Sequence, residues 1–308
     1  MPLHPDAAAF LKAMANIPQP PEATVQEFRD AAARLMKASD PLPIGRVEDK
    51  VIKGGDGQPL TLRIYTPEGK GPFPGIVWIR GGSFTRTTLE QLDPIRRLAA
   101  KMTGCVVVSV DQRLSPEAHY PAPLNDGDAA AQWVFAHAGE IDVNPERIGI
   151  AGESSGGNIA ASLAVRARDR RSPRFAFQLL FAPLTDATLS CPSIKEFEDG
   201  YVLTKRQLIW AYEQYAPGVP RTDPGISPLL TPNLQNMPPA VIVTIENDPV
   251  RDEGERYVQR LRDAGAKVKH ARIEGMVHHF PGPRSMMTFF GLLKELLGEL
   301  DAREQRRA

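Results

Sequence analysis

An excess of charge of either sign is missing from this chain. Lys and Arg together number 37, as do Asp and Glu, so the formal net charge over 308 residues is zero. A nucleic-acid or membrane-surface binder concentrates positive charge, and nothing here makes an electrostatic case for either partner. Cysteine is nearly absent, with Cys105 and Cys191 the only two. That excludes a disulfide framework and gives no support for a metal site. Cys105 begins the apolar run Cys105-Val106-Val107-Val108 and reads as a small buried hydrophobe. No uninterrupted apolar run approaches the roughly 18 residues of a membrane span. The opening Met1-Pro2-Leu3-His4-Pro5-Asp6 has no basic region followed by an apolar core, hence no visible signal peptide. These absences predict a soluble, cytoplasmic protein.

What is present is enough apolar material for a large core: 42% of residues are hydrophobic and 24% charged. One α/β domain with a smaller appendage fits that length better than two equal domains. Two helical patterns lie near the N-terminus, the second opened by Thr24 and Glu27 as a capping box, with the Pro-rich linker Pro18 to Pro21 between them. Two strands, 47–53 and 60–65, follow, joined by the turn Gly54-Gly55-Asp56-Gly57. Then apolar runs at 75–79, 106–110, 148–151, 177–181, 241–245 and 268–273 alternate with helical stretches near 91–102, 124–138, 157–169, 252–264 and 285–300. This alternation predicts a mostly parallel, twisted sheet of about eight strands with helices on both faces. The Pro- and Gly-rich stretch from about 184 to 230, with one helix around 206–212, interrupts the rhythm and reads as an insertion.

The most specific signal is Gly152-Glu153-Ser154-Ser155-Gly156, a G-x-S-x-G placed after the short apolar strand Ile148 to Ala151 and before an alanine-rich helix. Such a turn lifts a serine hydroxyl above the sheet beside the backbone N–H groups of a helix N-terminus. A serine needs a base to take its proton and a carboxylate to orient that base. Asp248 follows the strand 241–245, and His278 follows the strand 268–273. The order Ser…Asp…His is that of α/β-hydrolases. Each residue alone has a structural reading: Asp248 before Pro249 can start a turn, Asp252 can cap the next helix, and either His278 or His279 can be a surface residue. Their joint placement after consecutive strands favours catalysis. Arg80-Gly81-Gly82-Ser83-Phe84, after the strand 75–79, occupies the place of an oxyanion-hole loop.

These motifs resemble those of the bacterial hormone-sensitive-lipase-like carboxylesterases, an α/β-hydrolase family. Gly152-Glu153-Ser154-Ser155-Gly156-Gly157 stands for the usual GDSAGG, Asp248-Pro249-Val250-Arg251-Asp252-Glu253 for DPLRDE, and Gly275-Met276-Val277-His278 for GMxH. Arg113-Leu114-Ser115-Pro116-Glu117 resembles that family's RLAPE segment, and Gly200-Tyr201-Val202-Leu203-Thr204 the entry to its cap helix. The resemblance implies Ser154 as nucleophile, His278 as base, Asp248 as orienting acid, and Gly81, Gly82 and Ser155 as oxyanion N–H donors. His279 stands where the family often has glycine and is not carried over.

The departure is Arg-Gly-Gly-Ser at 80–83 where the family has HGGG. Arg80 can replace the loop-holding histidine, which its donor fork suits, or it can reach the substrate pocket together with Ser83 and Phe84 and favour a polar or anionic substrate. Gln112, at the usual Tyr position, is a smaller departure. The expectation is a serine carboxylesterase for small to medium acyl esters, needing no metal or cofactor. An amidase, lactonase or transacylase would use the same triad, and a non-catalytic ligand-binding protein on this fold is the third reading. The implied division is a helical cap from 1–45 and 185–225 on a hydrolase core of 46–184 and 226–308. A homodimer through the edge strand near 268–273 and the last helix is also implied.

Overall fold

The structure is a computed structural model describing residues 2–15, 17, 19–35, 41–278 and 283–304. Eight strands form one sheet: β1 (Arg46–Lys53), β2 (Pro59–Thr66), β3 (Phe73–Ile79), β4 (Val106–Val110), β5 (Val143–Glu153), β6 (Phe177–Phe181), β7 (Ala240–Asn247) and β8 (Val268–Val277). Their spatial order is β1-β2-β4-β3-β5-β6-β7-β8. The pairs β1–β2 and β2–β4 are antiparallel and all others parallel. The expected α/β-hydrolase sheet is therefore found, with β1 and β8 at its edges.

The helices are α1 (Pro5–Met14), α2 (Val25–Leu35), α3 (Leu89–Thr103), α4 (Ala122–Ala136), α5 (Ser155–Arg170), α6 (Pro192–Glu196), α7 (Lys205–Tyr215), α8 (Arg251–Asp263) and α9 (Pro283–Glu304). Two apolar cores form because strand side chains alternate between faces. Val77 and Ile79 point into the core shared with α4, α5, α7 and α8, while Ile76 and Trp78 point into the one shared with α1, α3 and α9. The central strands β4 and β6 are buried along their whole length, as parallel strands covered on both faces must be. The Thr24–Glu27 capping box forms as its spacing predicts: Thr24 N donates to Glu27 Oε2 at 2.8 Å, and Glu27 N to Thr24 Oγ1 at 3.2 Å. Of the linker at 18–21, Pro18 lies outside the described residues.

Two registers position the site. Ile79 on β3 pairs with Gly152 on β5, so the loop leaving β3 runs directly beside the turn leaving β5. On the other side, Ile245 pairs with Ile273 but Asn247 with Val277. β8 thus carries extra residues, with Gly275 in the left-handed region at φ 72, and this bulge extends it past the expected end at Ile273. The shift brings residue 278 level with residue 248. A strand without the bulge would end its pairing on a different side chain.

Glycine clearances give a direct test of this close approach. A Cβ on Gly156 would lie 2.3 Å from the Ile79 carbonyl oxygen, whereas one on Gly298, in α9, would meet nothing within 4 Å. Gly156→Ala is predicted to lower the unfolding free energy by about 2 kcal/mol through overpacking. Gly298→Ala is predicted to raise it by about 0.5 kcal/mol through reduced chain entropy. Urea titration of both variants measures the difference in sign.

Candidate active site

Ser154 sits between β5 and α5 with φ 53 and ψ −121, a conformation that non-glycine residues rarely adopt. The turn is held on both sides of that strain. Ser154 N donates to the Phe181 carbonyl at 2.9 Å, and Leu184 N donates to the Ser154 carbonyl at 3.2 Å. The turn can close only because its flanks lack side chains: a Cβ on Gly152 would stand 2.2 Å from the Gly156 carbonyl oxygen.

Ser154, His278 and Asp248 come together from the ends of β5, β8 and β7. The Ser154 hydroxyl lies 3.0 Å from His278 Nε2, and His278 Nδ1 lies 2.6 Å from Asp248 Oδ2. All three are buried, at 4%, 1% and 0% exposure, so water competes weakly for these bonds. An ionised carboxylate only accepts, which places the imidazole proton on Nδ1 and leaves Nε2 to accept from the serine hydroxyl. Asp248 Oδ1 accepts from Val250 N at 3.0 Å, so the same residue also starts the turn into α8. Asp252 does not cap α8; its carboxylate receives Ser193 N at 2.9 Å and pairs with Arg251. His279 lies outside the described residues.

The loop after β3 needs a correction. Gly81, expected to offer its N–H to an oxyanion, donates it to Glu153 Oε1 at 2.9 Å. That donor is engaged by the protein's own carboxylate. The N–H groups of Gly82, Ser83 and Ser155 have no acceptor within the described residues, whereas Phe84 N donates to Ser155 Oγ at 3.1 Å. Ser83, Phe84 and Thr87 all have positive φ, at 55, 62 and 83. Such residues cost about 1–3 kcal/mol each and persist only where the surroundings over-determine them.

Arg80 supplies part of that restraint, in keeping with the loop-holding alternative, and it does not line the cavity as the pocket alternative expects. It is 2% exposed, and its guanidinium donates to the carbonyls of Val110 at 3.0 Å, Gln112 at 2.7 Å and Thr87, while pairing with Asp111 at 2.7 Å. Gln112 returns the contact, its Nε2 donating to the Arg80 carbonyl at 2.8 Å. The two departures from the family pattern are thus each other's partners. Burial pushes the Arg80 guanidinium down from its ordinary value, and Asp111 opposes this. Phe84 is also no pocket residue: its ring stacks on Tyr215 of α7 with centroids 3.9 Å apart. Ser83 does not line the cavity beside Ser154 either.

That cavity measures about 510 Å³ and reaches from Ser154 and His278 down to Trp78, Ile95, Phe181 and Phe289. Glu153 closes one wall. Besides Gly81, it receives Arg96 at 2.9 Å and the Trp78 indole N–H, and the Arg96 guanidinium lies 4.2 Å over the Trp78 ring. In the sequence, Glu153 stands inside the Gly152–Gly156 motif with no role assigned to it. The signal was there, since a carboxylate next to a nucleophile must find donors when the turn is buried.

Glu253, buried behind Asp248, was also missed. Its Oε1 accepts from Thr185 N at 2.6 Å and Asp186 N at 3.2 Å, and its Oε2 has no partner. Burial, reinforced by the charges of Asp186 and Asp248, holds this carboxyl well above the usual carboxylate range despite those two N–H donors. No group of three or more His, Cys, Asp or Glu among the described residues could hold a metal, and no helix there is long and apolar enough to cross a membrane.

Comparison with known proteins agrees with this fold. Residues 76–282 match the α/β-hydrolase fold family. The carboxylesterase NlhH of Mycobacterium tuberculosis is 39% identical over 259 residues, 81% of each chain. The arylesterase of Saccharolobus solfataricus is 31% identical over 306 residues, covering 97% of this chain and 99% of its own. The solved hyperthermophilic esterase from the archaeon Pyrobaculum calidifontis superposes with a TM-score of 0.89 at 34% identity, over 96% of this chain and 99% of that one.

Two outcomes are expected from the charges described. Arg80→Met removes a buried donor set and is predicted to lower unfolding free energy by about 3 kcal/mol in urea. For Glu253, the folded state keeps a proton that the unfolded chain releases above about pH 4.3, so stability falls as pH rises from there towards the folded value. Relative to Glu253→Gln, the wild type is therefore predicted to lose stability progressively as pH rises above about 4.3. A constant offset across that range contradicts it.

Proposed function

The chain belongs to the α/β-hydrolase fold family, in its hormone-sensitive-lipase-like carboxylesterase branch, and from that premise we propose that it is a serine carboxylesterase acting through an acyl-enzyme. The observation that carries this reading is the continuous hydrogen-bonded line from Ser154 Oγ through His278 to Asp248, opening onto an apolar cavity.

In this reading Ser154 Oγ attacks the ester carbonyl as His278 Nε2 takes its proton. Asp248 holds the imidazole in the tautomer that can do so and stabilises the imidazolium that forms. The carbonyl oxygen gathers negative charge and is met by the N–H groups of Gly82 and Ser155, the latter at the positive end of α5. Each such donor is worth about 3 kcal/mol in the transition state. His278 then gives its proton to the leaving alcohol, and on the return half takes one from the water that releases the acid.

The N-terminal segment and the insertion act as one cap in this account. Phe28 of α2 meets Trp210 of α7 edge-on at 5.9 Å, and Gln207 Nε2 donates to Gln19 Oε1 at 3.1 Å. Phe10, Met14 and Ala32 from the first part and Val202 from the second close the cavity wall, which supports the division at 1–45 and 185–225. A cavity of this size suits small to medium acyl chains.

Turnover of p-nitrophenyl acetate, butyrate and octanoate is the test. Wild type should hydrolyse at least the shorter esters, and Ser154→Ala should lower kcat by about 10⁴-fold or more. No turnover of any ester by the wild type, or equal turnover by Ser154→Ala, would contradict the proposal.

A further inference from the structure

Three arginines lie at or beside the cavity, and two of them are neutralised. Arg80 has Asp111, and Arg96 has Glu153. Arg86 has neither. No carboxylate among the described residues pairs with its guanidinium, and no acceptor receives its buried Nε. Among the described residues its side chain meets the ring of Phe28, with the guanidinium carbon 4.0 Å from the centroid. The side chain leaves the strained loop with its Cγ against Gly82, as a Cβ built on Gly82 would lie 3.0 Å from it. It then lines the same cavity as Ser154 and His278.

A cation without a counter-ion in a largely apolar cavity costs free energy unless something negative meets it. The protein retains that cost next to its reacting serine. With Arg96 and Glu153 cancelling, Arg86 leaves the cavity wall with one positive charge that no carboxylate among the described residues compensates. A ring face under the guanidinium fixes its plane while leaving its edge N–H groups for a planar anion. Burial lowers the group to about 10, which keeps it charged at neutral pH.

We infer that Arg86 is a substrate-recognition residue that selects esters carrying a carboxylate, such as monoesters of dicarboxylic acids or acyl esters of hydroxy acids. The inference rests on the esterase reading and moves the anionic preference considered for Arg80 to a residue whose guanidinium is available. The carboxylate takes the fork of Arg86 while the scissile carbonyl sits at Ser154, so the charge is bound equally before and during acyl transfer and appears mainly in KM.

The test uses two matched pairs of esters: monomethyl adipate against methyl hexanoate, with the charge on the acid side, and 6-acetoxyhexanoate against hexyl acetate, with it on the alcohol side. In the wild type, at least one anionic ester should exceed its neutral partner in kcat/KM. In Arg86→Met that ratio should fall about tenfold, carried by KM, and Arg86→Lys should recover part of it. Should Arg86→Met fail to fold, wild type alone suffices: hexanoate should inhibit competitively at about tenfold lower concentration than hexan-1-ol. Esters hydrolysed with the same ratio in wild type and Arg86→Met, or equal inhibition by acid and alcohol, would overturn this inference alone. No hydrolysis of any of the four would overturn the esterase reading with it.

Discussion

Everything at this site depends on how closely the turn after β5 approaches the loop after β3. Ile79 and Gly152 are register partners, and the backbone of Gly156 lies so near the Ile79 carbonyl that even a methyl group has no room. That approach sets the helix N-terminus of α5 beside the loop after β3. It also explains Glu153. Its carboxylate cannot reach bulk water freely, and it gathers Gly81 N, Arg96 and Trp78, tying the turn to the loop and to α3.

The loop itself is a strained segment held by many partners. Three of its non-glycine residues have positive φ, and restraint comes from every side. Arg80, where the loop begins, donates to the Thr87 carbonyl near its end and to the Val110 carbonyl of β4, Thr87 Oγ1 donates to the Gly81 carbonyl at 2.7 Å, and Arg29 of α2 donates to the Thr85 carbonyl at 2.7 Å. Phe84 is clamped by Tyr215. The helices placed over the core thus also set the shape of the loop beside Ser154, so their packing and the site's geometry are physically linked. Strain of this kind is retained where function needs a fixed geometry.

How much of this was legible in the sequence follows from the range of each signal. The strands and helices could be read because apolar alternation and capping are local, as Thr24 and Glu27 illustrate. Ser154, Asp248 and His278 were legible because each follows a strand in a fixed order, and the structure brings them within hydrogen-bonding distance. The loop is less legible, because its partners come from other strands and helices. Gly81 looked like a donor because glycine permits close approach, but the carboxylate that takes its N–H comes from another strand. Arg80 and Gln112 were read as separate departures, since only the β3–β4 pairing places them side by side. Arg86 carries no sequence signal, because which carboxylates among the described residues reach it depends on the fold.

The central claim is that Ser154 is a nucleophile already activated by His278 and Asp248. Intact-protein and peptide mass spectrometry after treatment with diethyl p-nitrophenyl phosphate tests it most directly. The account predicts one diethylphosphoryl group per chain, on the peptide carrying Ser154, and none on Ser154→Ala. Labelling elsewhere, or equal labelling of that variant, would contradict it.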